Sequence, residues 1–245
     1  DMKNVNANVA FVLFPNACSI EKDRMWWVDK RDYQNDIMNL LNDVYMHSNI
    51  QYVDMRDSLK KLKDNNIDIY YRTDHHINSD AMYMVKDKIL DSLSIKDDRQ
   101  YDKIKLCDNF QGSLMSKSCV FKDVYDDIYT YIDRKPVRYV LFDYGEQRES
   151  ASIYDFSKLD SYDPYLVFMG NNSKLINIKT ENYEKKRLLV IKDSYVNCFI
   201  PYLLAHYSTI DIVDPRYVSD IKELVSYEEY DDILYFYNLN TYMGK

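Results

Sequence analysis

Residues 187–217 read RLLVIKDSYVNCFIPYLLAHYSTIDIVDPRY. The run RLLVI (187–191) is short, uninterrupted and rich in branched apolar residues, as expected of a strand buried on both faces. After KDSY comes a long apolar segment, VNCFIPYLLAHY (196–207), and then a second strand pattern, TIDIVD (209–214). SDIKELVSYEEY (219–230) spaces its apolar residues as an amphipathic helix, and DILYFYN (232–238) completes a third strand. The order βαβαβ requires right-handed crossovers and a mostly parallel sheet. Sheets of this kind bind ligands beyond the carboxyl ends of their strands, which is where Asp193 and Ser194 fall.

Moving outward, the first third of the chain alternates in the same way. VAFVLFP (9–15) is an apolar β-rich run stopped by Pro15. DYQNDIMNLLNDVYMH (32–47) places Ile37, Leu40, Leu41 and Val44 at helical spacing. IQYVDM (50–55) reads as a strand, DSLKKLKD (57–64) as a short helix and IDIYYR (67–72) as the end of a further strand. SDAMYMVKDKILDSL (79–93) is a helix with an Asx/Ser start. Asp74, His75 and His76 thereby fall in a strand-to-helix loop. Residues 100–185 are less patterned, with β-like stretches VRYVLFDY (137–144) and YLVFMG (165–170). No repeat or long linker divides the chain, so the expectation is one α/β domain over 1–245 with a three-layer arrangement.

The 245 residues carry a net charge of −8 with Lys and Arg interspersed among the acids, which excludes the basic stripe of a nucleic-acid binder. Cys18, Cys107, Cys119 and Cys198 are dispersed without a CxxC pair, so zinc ligation is not expected. A Cys107–Cys119 disulfide is open only in an oxidising compartment. No apolar run reaches membrane-spanning length. The chain starts at Asp1 rather than Met, and an upstream signal or anchor is expected. Twenty-five tyrosines and the Trp26-Trp27 pair fit either half-buried packing or stacking on sugar faces.

Three constellations carry possible chemistry. Asp193-Ser194 is either a cap for the following turn or a nucleophile presented at the sheet edge. Asp74, His75 and His76 offer an acid–base pair in which the carboxylate orients the imidazole two residues on. They also offer metal ligands, for which only His47 and His206 supply further imidazoles. FMGNN (168–172) is either a tight turn or a source of oxyanion donors from Gly170 and Asn171. A likeness of DHH to the phosphoesterases that share those letters lacks the upstream aspartate–glycine motifs of that superfamily.

The stretches YYRTDHHINSDAMY (70–83), DNFQGSLMSKS (108–118), YLVFMGNN (165–172) and residues 187–217, in that order, resemble the bacterial DHHW protein family. That family resembles SGNH-hydrolase-like proteins of alginate and cell-wall O-acetylation, whose Asp-x-His motif precedes the serine. The resemblance implies a flavodoxin-like SGNH fold with permuted motif order. It implies Asp74 as orienting acid, His76 as base and Ser194 as nucleophile, with no cofactor. Ile77 stands where the family has tryptophan, and Asp80 where a glycine is usual. The backbone N–H of Tyr195, with Gly170 and Asn171, is the expected oxyanion set. The function implied is a serine-dependent O-acyl esterase or O-acyltransferase of the cell envelope. Its partners would be an acylated glycan or acyl donor and a membrane-bound acyl-transfer protein. The alternative is a non-catalytic glycan-binding or assembly component with the same fold.

Overall fold

The computed structural model describes residues 6–25, 32–118 and 123–244. Trp26, Trp27 and Cys119 lie outside the described residues, and so does the question of a Cys107–Cys119 bridge. Among the described residues ten strands are formed: β1 (Asn8–Phe14), β2 (Ile50–Asp54), β3 (Tyr101–Phe110), β4 (Asp126–Asp133), β5 (Tyr139–Asp143), β6 (Arg148–Ser150), β7 (Leu175–Thr180), β8 (Arg187–Lys192), β9 (Thr209–Val213) and β10 (Asp232–Asn238). Eight of them make one sheet in the order β2-β1-β10-β8-β9-β7-β5-β6. Its first five strands are mutually parallel, and the β9–β7, β7–β5 and β5–β6 pairs are antiparallel. β3 and β4 form a separate antiparallel hairpin.

The most apolar runs take the central places. In β8, Leu188 and Val190 enter the larger core with Val12, Ile210, Ile212, Leu234 and Phe236. Leu189 and Ile191, on the opposite face, join Val9, Val213 and Ile233. This alternation is the period-two rule applied to a strand covered on both sides. Each such side chain contributes about 1.5–3 kcal/mol on burial. β1 and β10, some 220 residues apart in the chain, pair in register from Asn8 with Asp232 to Phe14 with Asn238.

The covering elements depart from the periodic reading. Helices form at Tyr33–Tyr45, Arg56–Asp64 and Ser79–Ser92. The first is capped by the Asp32 carboxylate on the Asn35 N–H, the third by Asn78 on the Ala81 N–H. The segments between β8 and β9 and between β9 and β10 are instead short 3-10 turns. Pro201 has no N–H to donate and bars a continuous helix through 196–207. Residues 219–230 break into turns at Ile221–Glu223 and Tyr227–Glu229, the first started by the Asp220 side chain. Ile221, Leu224, Val225 and Tyr227 still pack on the sheet, so the apolar pattern was satisfied without an α-helix. YLVFMG is likewise a 3-10 turn, Pro164–Val167, started by Asp163. IDIYYR forms no strand: Asn66 turns left-handed at φ 58°, and only an isolated Tyr70–Ile77 bridge follows.

Candidate active site

That bridge defines how Asp74 and His76 are presented. Tyr70 pairs with Ile77, the Tyr71 N–H donates to the His76 carbonyl at 3.2 Å, and the Asn78 N–H donates to the Ile69 carbonyl. Residues 71–76 are therefore a closed loop leading into the helix Ser79–Ser92, rather than a connection leaving a sheet strand. The loop is pinned from the hairpin as well. The Asp126 carboxylate of β4 accepts the N–H groups of Arg72 and Thr73 at 3.0 and 2.8 Å, and the Thr73 hydroxyl at 2.6 Å.

The Ser194 turn is built at the carboxyl end of β8. Asp193 is 1% exposed, and its two oxygens accept the N–H of Tyr195 at 2.9 Å and the N–H of Asn238, at the end of β10, at 2.8 Å. This pairs a capped 3-10 turn, Ser194–Val196, with the neighbouring strand end. The cap reading of the KDSY stretch falls on Asp193 and leaves the Ser194 hydroxyl out of the capping. Asp193 is the cap, and capping fixes the direction in which Ser194 points.

The two segments, 118 residues apart, meet. Ser194 Oγ lies 2.8 Å from His76 Nε2, and His76 Nδ1 lies 2.5 Å from Asp74 Oδ1, which also accepts the His76 N–H at 3.0 Å. The second Asp74 oxygen accepts the Ser113 N–H at 2.8 Å. A Cβ at Gly112 would sit 2.3 Å from that of Asp74, so only glycine lets this backbone approach the carboxylate. The His76 ring stacks on Tyr165, with centroids 3.8 Å apart and planes 8° from parallel, while Tyr195 approaches at 5.3 Å. The Tyr165 hydroxyl donates to the Ser194 carbonyl at 3.3 Å.

Burial in this aromatic slot disfavours the imidazolium. The His76 pKa is pushed down to about 4 by burial, which outweighs the attraction of the Asp74 carboxylate. Burial raises the Asp74 pKa, but the neighbouring His75 and His76 imidazoles prevail and hold its carboxyl well below the usual range. With a neutral His76 donating Nδ1–H to Asp74, Nε2 carries a lone pair facing the Ser194 hydroxyl. The arrangement can take that proton and return it, which is general acid–base chemistry on a serine nucleophile.

The other predicted residues are placed differently. His75 is 47% exposed in its side chain, with Nδ1 2.7 Å from the Ser113 hydroxyl and 3.6 Å from Asp74 Oδ1. Asp74, His75 and His76 can bring one ligand atom each within 4.8 Å of the others. His76, however, already commits Nδ1 to the carboxylate and Nε2 to the serine. His206 lies against Asp97, 3.5 Å from it. Each predicted oxyanion donor has a partner in the protein: the Tyr195 N–H on Asp193, the Gly170 N–H on the Leu166 carbonyl at 2.9 Å, and the Asn171 amide on Glu146 at 2.5 Å. Sequence reasoning gave no role to Gly112, Ser113, Tyr165 or Asp126. The signal was faint: Gly112 is one of four glycines in the chain and stands directly before a serine and a short helix.

No protein-family profile matches the sequence, and no curated protein does. The fold has close counterparts among solved structures. A DHHW family protein from Eubacterium siraeum superimposes with a TM-score of 0.76 at 19% identity, over 99% of this chain and 81% of that one. PatB1 of Bacillus cereus, solved with a sulfonyl adduct, gives 0.72 at 17% identity over 95% and 81%. A second PatB1 structure gives 0.71 at 16% over 97% and 84%. The chain has the SGNH-hydrolase-like α/β fold with a mostly parallel central sheet, the fold that the DHHW resemblance implied.

Proposed function

We propose that this protein is a serine-dependent O-acyl esterase or O-acyltransferase that acts on a glycan of the cell surface or of a secreted polymer. The observation that carries the reading is the unbroken hydrogen-bonded line Asp74–His76–Ser194, at 2.5 and 2.8 Å. In the first half-reaction, Ser194 Oγ bonds to the acyl carbonyl carbon while its proton passes to His76 Nε2. The tetrahedral intermediate collapses, the ester C–O bond breaks, and His76 protonates the departing alcohol. An acyl-serine remains. In the second, His76 takes a proton from water or a sugar hydroxyl, whose oxygen attacks the acyl carbon; the acyl–Oγ bond then breaks and His76 returns the proton to Ser194 Oγ. Asp74 holds the imidazole in the required tautomer throughout.

That a relative in fold was solved with a sulfonyl adduct favours electrophile-reactive chemistry on this scaffold. Among the described residues no helix is long and apolar enough to cross a membrane. The glycan reading places the protein outside the cytoplasm, where a membrane-bound partner would supply acyl groups for transfer.

The test is initial-rate hydrolysis of an aryl acetate across pH, with and without oligosaccharide acceptors. Turnover requires neutral His76, so the rate falls as His76 gains a proton and rises with pH through its pKa. With burial drawing that pKa toward about 4, the acid limb is expected well below the reference of about 6.5. Acylated sugar formed at the expense of acetate marks a transferase. Oligosaccharide binding with no turnover at any pH returns the non-catalytic alternative.

A further inference from the structure

Lys192, the last residue of β8, lies two residues before Ser194 and is 1% exposed. A buried ammonium is costly, and an apolar side chain would finish a central strand more cheaply. Its Nζ is 2.8 Å from Asn197 Oδ1, 3.2 Å from Asn172 Oδ1 and 4.0 Å from Asp214 Oδ2. Asp214 is already gripped by Arg216 through Nε at 2.9 Å and Nη2 at 2.6 Å. The nearest acceptors of the lysine are therefore two amide oxygens, one from the 168–172 loop and one from the turn after Ser194.

Those amides belong to two segments that are themselves tied together. The Asn197 N–H donates to the Ser194 carbonyl at 3.2 Å, and Asn197 Nδ2 donates to the Phe168 carbonyl at 3.4 Å. Asn172 ends the FMGNN loop, in which Met169 and Gly170 are both left-handed at φ 74° and Met169 is buried. A buried non-glycine residue in that region persists only where its surroundings over-determine it. With Oδ1 turned to the lysine, the Asn172 NH₂ points away from it and donates to no other group among the described residues.

We propose that Lys192 is a positioning residue that clamps the 168–172 loop onto the Ser194 turn. It thereby fixes the Asn172 amide as a donor to the oxyanion formed on the substrate carbonyl. The inference rests on the serine-esterase reading above, and it moves the side-chain donor from Asn171 to Asn172. Lys192 itself touches no substrate. Its effect passes through Asn172, and a double-mutant cycle reads that dependence.

The experiment compares wild type, Lys192→Met, Asn172→Ala and the double variant in aryl acetate hydrolysis, each with its melting curve. Each single change is expected to lower kcat by about 10²-fold, the usual cost of one oxyanion donor, with KM little altered. The double variant should be no worse than Asn172→Ala. Multiplying losses, or full kcat in either single variant, would overturn the inference while wild-type turnover keeps the esterase reading standing. A wild-type chain that neither turns over nor reacts with a fluorophosphonate removes both. Should Lys192→Met fail to fold, Lys192→Gln retains a donor at this position. It is then expected to keep more kcat than Asn172→Ala, and equal or lower kcat would count against the clamp.

Discussion

Replacing His76 with alanine is expected to reduce aryl acetate turnover by about 10⁴-fold, because the serine hydroxyl is left without a base. The same change at His75 is expected to cost under about tenfold, the worth of a single exposed hydrogen bond of about 1 kcal/mol. The two residues are neighbours, yet their environments are opposite. His76 is buried between Tyr165 and Asp74 with Nε2 on Ser194, whereas His75 faces solvent and touches the Ser113 hydroxyl. The His75 group that does reach the site is its backbone carbonyl, which accepts from the Tyr195 hydroxyl and survives the substitution. Removing the His76 ring also leaves a void beside Tyr165, so His76→Gln and a melting curve accompany the alanine variant. Loss of activity at His75 with retention at His76 would reverse the assignment of the base.

Asp74→Asn should be nearly as damaging while leaving the fold in place, with a loss of roughly 10³–10⁴-fold in kcat. The carboxylate accepts three N–H donors: Ser113 N–H, His76 N–H and the His76 ring. An amide has one accepting oxygen. If that oxygen stays on Ser113, the NH₂ group confronts His76 Nδ1 and forces the ring proton onto Nε2, where it blocks acceptance from Ser194. If the amide is flipped, two N–H groups oppose each other at Ser113. The first orientation loses the tautomer, and the second keeps it only against an N–H clash at Ser113, so the nearly isosteric change keeps volume while weakening the hold on the imidazole. Near-wild-type kcat with an unchanged pH profile in Asp74→Asn would remove the carboxylate from the mechanism.

The sheet was legible in the sequence because its central strands are almost purely apolar, and burial on both faces allows little else at RLLVI, TIDIV and VAFVLF. What covers the sheet was not. Residues 219–230 carry helical spacing, yet turns started by Asp220 and a bond between Ser226 and Glu228 satisfy the same apolar contacts in another conformation. In 196–207 the proline mattered more than the hydrophobicity. At the candidate site, the residues alone left Asp74, His76 and Ser194 with rival readings as ligands or caps, and it was the resemblance to the DHHW family that joined the three that meet. Which N–H groups are open to an oxyanion was not legible, because only the folded chain shows which of them are spent on capping and turn formation. Asn171 and Asn172 are adjacent and identical in kind, and they are separated by what holds them: Glu146 takes the amide of one, Lys192 the oxygen of the other.

The central claim is that Ser194 is an activated nucleophile, and reaction with a fluorophosphonate followed by intact mass and peptide mapping tests it most directly. The serine oxygen would attack phosphorus and expel fluoride, with His76 taking the hydroxyl proton. One adduct per chain is expected, on Ser194, absent from Ser194→Ala and strongly slowed in His76→Ala. A folded wild-type chain that stays unmodified, or carries its adduct on another residue, would contradict the account.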